Sequence, residues 1–299
     1  MQKASEILMI RPVKFGYNEQ TAGSNSFQQP TLSADREAIQ QKALQEFDAF
    51  AAKLNAAGIE VTVFEDTLSP HTPDSIFPNN WISFHENKIV VYPMLAENRR
   101  QERRTDILSH FKTGNTQLID LSAKEEQQMI LEGTGSIVFD YANKIAYANI
   151  SPRTNKQLLE ELCEKLSYKA ITFKAVDISG KDIYHTNVLM CIGTTFAVIC
   201  KECIPDKNDL QTLVGSLSGT KHESIEISYE QMNSFAGNMY QLFNNEGKSF
   251  IIMSGQAFRS LNKEQIKMLE KHGSLLHSPL DTIEKYGGGS ARCMVALVH

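Results

Sequence analysis

Apolar residues recur along this chain in short paired runs. Trp81–Phe84 and Ile89–Tyr92 flank His85–Lys88, and Ser136–Phe139 and Ile145–Ala148 flank a turn containing Asn143. Val188–Ile192 and Phe196–Cys200 flank Gly193–Thr195, and Met239–Phe243 and Phe250–Met253 flank Asn244–Gly247. Each pair reads as two strands joined by a turn of suitable residues. A fifth pair would join Ala291–Val298 to Ile7–Ile10, the two ends of the chain. The units begin near residues 81, 136, 188, 239 and 291. That spacing, about 50 residues, lies in the range of repeat architectures.

Helical patterns fill the intervals, at 98–111, 154–167 and 262–272. Residues 34–57 carry Ile39, Ala43, Phe47, Phe50 and Leu54 at three- and four-residue spacing, with Gly58 as the stop. Before them runs a polar stretch, Phe15–Ser33, rich in Gly, Asn, Gln and Ser. A loop of that length in a compact protein is usually functional or mobile. A ring of five similar α/β units, closed by the terminal strands, accounts for the whole pattern and removes exposed sheet edges. An ordinary α/β sheet with irregular insertions accounts for the periodicity as well.

Composition narrows the function. The chain has 299 residues and a mass of 33.5 kDa, enough to bury a core without disulfides or metals. A net charge of −5 argues against a general nucleic-acid-binding surface. No apolar run approaches the roughly 20 residues of a membrane helix. The first apolar stretch, Ile7–Ile10, ends at Arg11-Pro12 and is too short for a signal peptide. The five cysteines, an odd number, then read as reduced thiols in the cytoplasm.

The hairpins bring polar groups to corresponding places. Asn79 and Asn80 precede the first, Glu132 the second, His185 the third and Asn238 the fourth, while Cys293 follows the glycine run Gly287–Gly289 at the start of the fifth. In a ring of repeats, equivalent positions converge on the axis. Glu, His and Cys would then meet in one central site, with the thiolate as nucleophile and the imidazole carrying protons. Taken singly, each has a structural reading: a buried small thiol, a histidine bonded to backbone, a carboxylate capping a turn. Their shared placement favours chemistry. Cys200-Lys-Glu-Cys203 lacks a second pair and reads as a strand end. Glu97–Arg104 reads as a solvated helix face of mixed charge, although an arginine there, like Arg153 after the second hairpin, could reach a substrate carboxylate. No P-loop or dinucleotide motif is present, since Gly287-Gly-Gly-Ser fits neither spacing.

These residues resemble the guanidine-modifying superfamily, whose members share the five-unit α/β propeller called the pentein fold. Within it, Met9-Ile-Arg-Pro, Phe15-Gly-Tyr-Asn-Glu-Gln-Thr-Ala, Ser75-Ile-Phe-Pro-Asn-Asn-Trp-Ile-Ser-Phe-His, Glu132-Gly-Thr-Gly-Ser and Ser290-Ala-Arg-Cys-Met look like the citrulline utilisation hydrolase subgroup. The resemblance implies a single pentein-type catalytic domain over residues 1–299. It implies Cys293 as nucleophile, His185 as general acid/base and Glu132 in support of proton transfer. Arg153, with Arg99, would bind the amino-acid end of the substrate. Arginine deiminases grip the guanidinium with two aspartates where this chain has Asn80 and Asn187. Asparagine offers a donor and an acceptor without charge, which suits a neutral ureido group.

The expectation is therefore a cytoplasmic hydrolase of L-citrulline, without cofactor or metal. Its partner is a small amino-acid substrate rather than nucleic acid or membrane, and the sequence leaves room for a homo-oligomer. Hydrolysis of arginine or a substituted arginine, amidino transfer, and a non-catalytic pentein-fold binding protein are the alternatives.

Overall fold

The structure, a computed structural model, describes residues 5–30 and 35–298. It contains five three-stranded sheets built to one plan. In each, a first strand pairs antiparallel with a second, and the second pairs in parallel with a third that returns after a helical crossover.

The first unit holds β1 (Glu6–Arg11), α1 (Glu19–Ala22), α2 (Arg36–Ala56) and β2 (Glu60–Glu65). The second holds β3 (Ile82–His85), β4 (Lys88–Val91), α3 (Glu97–Arg100), α4 (Thr105–Phe111) and β5 (Gln117–Asp120). The third holds α5 (Gly133–Ser136), β6 (Val138–Asp140), β7 (Ile145–Asn149), α6 (Lys156–Leu166) and β8 (Lys169–Phe173). The fourth holds α7 (Thr186–Leu189), β9 (Met190–Ile192), β10 (Phe196–Ile199), α8 (Lys207–Gly219) and β11 (Glu223–Glu226). The fifth holds α9 (Tyr229–Asn233), β12 (Tyr240–Phe243), β13 (Ser249–Ser254), α10 (Gly255–Ser260), α11 (Lys263–Glu270) and β14 (Ser274–Ser278). Last come α12 (Asp281–Gly287) and β15 (Ala296–Val298), and β15 pairs with β1 in the register Glu6↔Val298.

The terminal strand thus completes the first sheet, as the hydrophobic pattern predicts. The Ser5 amide donates to the Phe243 carbonyl at 2.8 Å, and the Phe243 amide to Ser5 Oγ at 2.9 Å, joining the fifth unit to the first. Five sheets set around an axis in this way form the α/β propeller of the pentein fold. Among the described residues, no helix is long and apolar enough to cross a membrane.

The helices pack on the sheets through one apolar face each. Ile39, Ala43, Phe47, Phe50, Ala51 and Leu54 bury one side of α2, and Gly58, at φ +80°, lets the chain turn into β2. The side chain of Asn155 caps α6 by accepting from the Leu158 amide at 2.9 Å, and Leu158, Leu159, Leu162 and Leu166 are buried beneath it. Burying each such side chain stabilises the fold by about 1.5–3 kcal/mol.

Several sequence expectations are corrected. The helix expected over 98–111 is two helices, α3 and α4, because Arg104 is extended (φ −105°, ψ 128°). Nor is Glu97–Arg104 a solvated face, since Arg99 and Glu102 are both buried. The third strand of every sheet goes unmarked by the paired runs. The helix expected over 34–57 is observed from Arg36, with residue 34 and the end of the polar stretch lying outside the described residues.

The expected hairpin arms at 136, 188 and 291 begin later than their apolar runs do. Helical turns come first: Ile137 N–H donates to Gly133 O, Val188 N–H to His185 O, and Cys293 N–H to Ser290 O. These turns, rather than strands, carry the polar residues.

Candidate active site

Glu132 and His185 stand at the N-caps of α5 and α7, and Asn79 and Asn80 lie in a 3-10 turn ahead of β3. The turns approach one another closely enough to dictate glycine. Gly133 has φ +47°, and a Cβ there would lie 2.8 Å from the Asn80 carbonyl oxygen. A Cβ on Gly135 would lie 2.7 Å from His185 Nδ1 and would also strike Asn80 Nδ2. The Gly-Thr-Gly of the third unit is therefore a packing requirement of the site.

Glu132 and His185 meet here although 53 positions apart. His185 Nε2 and Glu132 Oε2 are 2.8 Å apart, Arg153 Nη1 donates to the same oxygen at 3.3 Å, and the Leu95 amide donates to Oε1 at 3.0 Å. Burial alone would raise the Glu132 pKa. The Arg153 charge, His185 and Arg99 outweigh it and hold the carboxyl well below its usual range. Burial pushes His185 down to about 4 even though Glu132 favours its charged form. The resting pair is a carboxylate and a neutral imidazole. A carboxylate only accepts, so Nε2 carries the proton and Nδ1, beside Gly135 and Asn80, is left with a lone pair.

Cys293 follows the Ser290 turn and is 5% exposed. Two amides reach its sulfur, Asn187 Nδ2 at 3.4 Å and Asn238 Nδ2 at 3.3 Å. Asn238 is locked on both ends: its Nδ2 also donates to the Asn187 carbonyl at 2.9 Å, and its Oδ1 accepts from the Arg292 amide at 3.0 Å. Asn187 lies two residues after His185 on one turn, so that turn carries a contact to the thiol and the imidazole together.

Arg99 and Asn80 form a third part. Arg99 Nη1 donates to Asn80 Oδ1 at 2.7 Å, while Nε and Nη2 grip the two Glu102 oxygens at 2.8 and 2.9 Å. Burial opposes the Arg99 charge, but Glu102, Asp74 and Glu132 outweigh it and keep the guanidinium charged. Most of the Arg99 fork is thus engaged within the protein, as is that of Arg153, whose Nε, Nη1 and Nη2 all donate to protein oxygens. Asn80 Nδ2, Asn187 Oδ1 and both ends of the Asn79 amide are buried without a protein partner.

The polar stretch lies over this cluster as a lid. Asn18 Nδ2 and Thr21 Oγ1 donate to Asp74 Oδ2 at 2.8 and 3.2 Å. Arg153 donates from Nη2 to the Thr21 carbonyl at 3.2 Å and to Ser24 Oγ at 2.6 Å. Gln28 Nε2 donates to the Gly287 carbonyl at 2.8 Å, in the loop that leads to Cys293. Asp74 and Asn238 are among the polar residues here that sequence reasoning leaves out of its candidate set. The repeat pattern had already placed Asn238 at an equivalent position, whereas Asp74 carried no signal beyond its closeness to the Phe-Pro-Asn-Asn segment.

The family model described as "N,N dimethylarginine dimethylhydrolase, eukaryotic" matches residues 11–299. The chain belongs to this family. Membership sets it within the guanidine-modifying superfamily, among hydrolases of C–N bonds in guanidino-type groups. Solved structures share the fold at low identity. The N-terminal domain of ArgZ, covalently bound to a reaction intermediate, superposes with a TM-score of 0.78 at 16% identity, covering 99% of this chain and 98% of that one. Apo ArgZ, an arginine dihydrolase from the ornithine-ammonia cycle in cyanobacteria, gives 0.77 at 17% identity; the match covers 98% of this chain but 40% of that one. DDAH from Pseudomonas aeruginosa, complexed with citrulline, gives 0.68 at 15% identity over 99% of this chain and 100% of that one. No curated protein sequence gives a significant match.

Proposed function

We propose that this protein is a cysteine hydrolase of free L-citrulline, releasing L-ornithine, ammonia and carbon dioxide. The orientation of the Asn80 amide carries the reading. Arginine can only donate, so the Arg99 contact turns Asn80 Oδ1 toward Arg99 and leaves Nδ2 as a buried, unused donor. Asn187 keeps an unused acceptor, Oδ1. A ureido group offers a carbonyl oxygen for the first and an N–H for the second. A guanidinium offers N–H groups and a positive charge, yet Glu132 is engaged by His185, Arg153 and Leu95, and Glu102 by Arg99. Burying a cation without a carboxylate partner costs several kcal/mol.

In the first half-reaction, Cys293 gives its proton to the neutral His185 as sulfur attacks the ureido carbon, and the Asn187 and Asn238 amides steady the thiolate. Glu132 stabilises the imidazolium and keeps the ring oriented. The proton then passes to the leaving nitrogen. Ornithine departs, and a carbamoyl group stays on sulfur as a thioester. In the second half-reaction water attacks that carbonyl and gives a proton to His185, which returns it to sulfur. Carbamate leaves and decays to ammonia and carbon dioxide. Arg153 holds the substrate carboxylate, and the lid it anchors excludes bulk water.

Ornithine and ammonia released by the purified protein from citrulline, with Cys293→Ser as control, test the reading. Equal amounts of both, lost in the variant, are expected. A second reading, hydrolysis of arginine or a substituted arginine, is favoured by the family description. Turnover of arginine or dimethylarginine with none of citrulline would replace the first reading by the second.

A further inference from the structure

A buried carboxyl that the proposed chemistry does not use lies behind the nucleophile. Glu284, on α12, is 3% exposed, and its Oε1 accepts from Ser290 Oγ at 2.6 Å. Ser290 in turn begins the turn that carries the thiol. Its carbonyl accepts the amides of Cys293 at 2.9 Å and Met294 at 3.3 Å. The Glu284 carbonyl accepts the Gly288 amide at 3.0 Å. Glu284 therefore holds the glycine loop at both ends, by backbone at Gly288 and by side chain at Ser290.

The segment between needs such a hold. Gly287, Gly288 and Gly289 have no side chains of their own to pack, and Gly288 takes φ +65°. Elsewhere the loop is fastened through carbonyls, by Tyr184 Oη to Gly288 at 2.7 Å and by the lid residue Gln28 to Gly287. Ser290 Oγ is the anchor that a side chain of the loop itself supplies, three residues before the thiol.

We infer that Glu284 is a positioning residue for Cys293, acting through Ser290 to fix the turn that aims the sulfur at substrate. The inference rests on Cys293 being the nucleophile. The charged groups that bear on Glu284 are Asp281, on its own helix, and Glu46, on α2. Both disfavour its ionised form, as does burial, and the carboxyl is pushed up to about 7.

The test uses the full-length protein with Ser290→Ala, Glu284→Ala and Glu284→Gln. The readouts are kcat and KM for citrulline and the rate of Cys293 alkylation by iodoacetamide on both sides of neutrality. A misaimed nucleophile loses rate rather than binding. Ser290→Ala and Glu284→Ala should lower kcat by about tenfold or more with KM within about twofold, and alkylation should change in step with kcat. Glu284→Gln keeps an acceptor for Ser290 but cannot ionise, so it should keep most of kcat and lose a pH step near neutrality. Ser290→Ala guards against Glu284→Ala failing to fold. Wild-type kcat and alkylation in both alanine variants would overturn the inference. Should wild type fail to turn over citrulline while the alanine variants still alter Cys293 alkylation, the substrate reading fails and the positioning role stands.

Discussion

Arg99 donates from Nη1 to Asn80 Oδ1 over 2.7 Å, and that contact decides which end of a buried amide is left without a protein partner. The arginine is itself held by the Glu102 fork, so the amide cannot turn over without losing that bond and setting its NH2 against a fixed donor. In the proposed reading, a specificity group is thus set from behind by a charge that need not touch substrate.

Replacing Asn80 by aspartate tests this directly. The new carboxylate would still accept from Arg99, but its second oxygen would face the ureido carbonyl where a donor belongs. Citrulline kcat/KM should fall by about 100-fold or more, because a buried polar group is left opposed rather than paired. Binding of arginine should become measurable by calorimetry. Citrulline turnover unchanged in Asn80→Asp would remove the basis of the ureido reading.

Gly135 makes a second test. A Cβ there would lie 2.7 Å from His185 Nδ1 and overlap Asn80 Nδ2, so the imidazole or the amide must shift. Gly135→Ala should fold with near-native circular dichroism and lose about 100-fold in kcat, the cost typical of a displaced catalytic group. Activity within a few-fold of wild type would mean that Nδ1 does not face the reaction.

Arg153 joins the site to its lid. It contacts Glu132, the Thr21 carbonyl and Ser24, and its guanidinium lies 4.8 Å from the centre of the Tyr184 ring. Lysine keeps the charge but cannot make the fork. Arg153→Lys should raise KM for citrulline about tenfold or more and open residues 18–28 to limited proteolysis. Ser24→Ala should show the same proteolysis to a smaller degree. Unchanged cleavage in both variants would separate Arg153 from lid closure.

The sequence made parts of this architecture legible and left others hidden, for identifiable reasons. Paired apolar runs announced β3–β4, β6–β7, β9–β10 and β12–β13, because both arms of each hairpin lie in the buried interior. The third strands, such as Gln117–Asp120, have a mostly exposed face and little periodic signal. Glu132, His185 and Cys293 could be picked out by their equivalent places in the repeat. The burial of Arg99 was hidden because a charge run reads as solvent-facing until a partner such as Glu102, three residues on, is seen to pair with it inside the protein. Glu284 sits in an ordinary amphipathic helix, and no spacing rule reveals that its carboxyl meets Ser290.

Two buried groups should pull stability in opposite directions with pH. His185 is lowered from 6.5 to about 4, chiefly by burial, so between those values the unfolded chain binds a proton that the folded protein does not. Its contribution is present above pH 6.5 and is lost as pH falls toward 4. Glu284 is raised from 4.5 to about 7, again chiefly by burial. Its contribution is full below pH 4.5 and is lost as pH rises through 7. Glu284→Gln cannot ionise, so the melting temperature of this variant relative to wild type should climb as pH is raised through neutrality. The relative gain should reach about 2–4 °C or more, the shift that 1 kcal/mol produces in a chain of this order of size. His185→Gln should gain on wild type as pH falls below 6.5 instead. Melting curves recorded in parallel across both windows check the two signs. A Glu284→Gln difference that stays flat through neutrality would mean that this carboxyl titrates in the ordinary range and is not pressed by its burial.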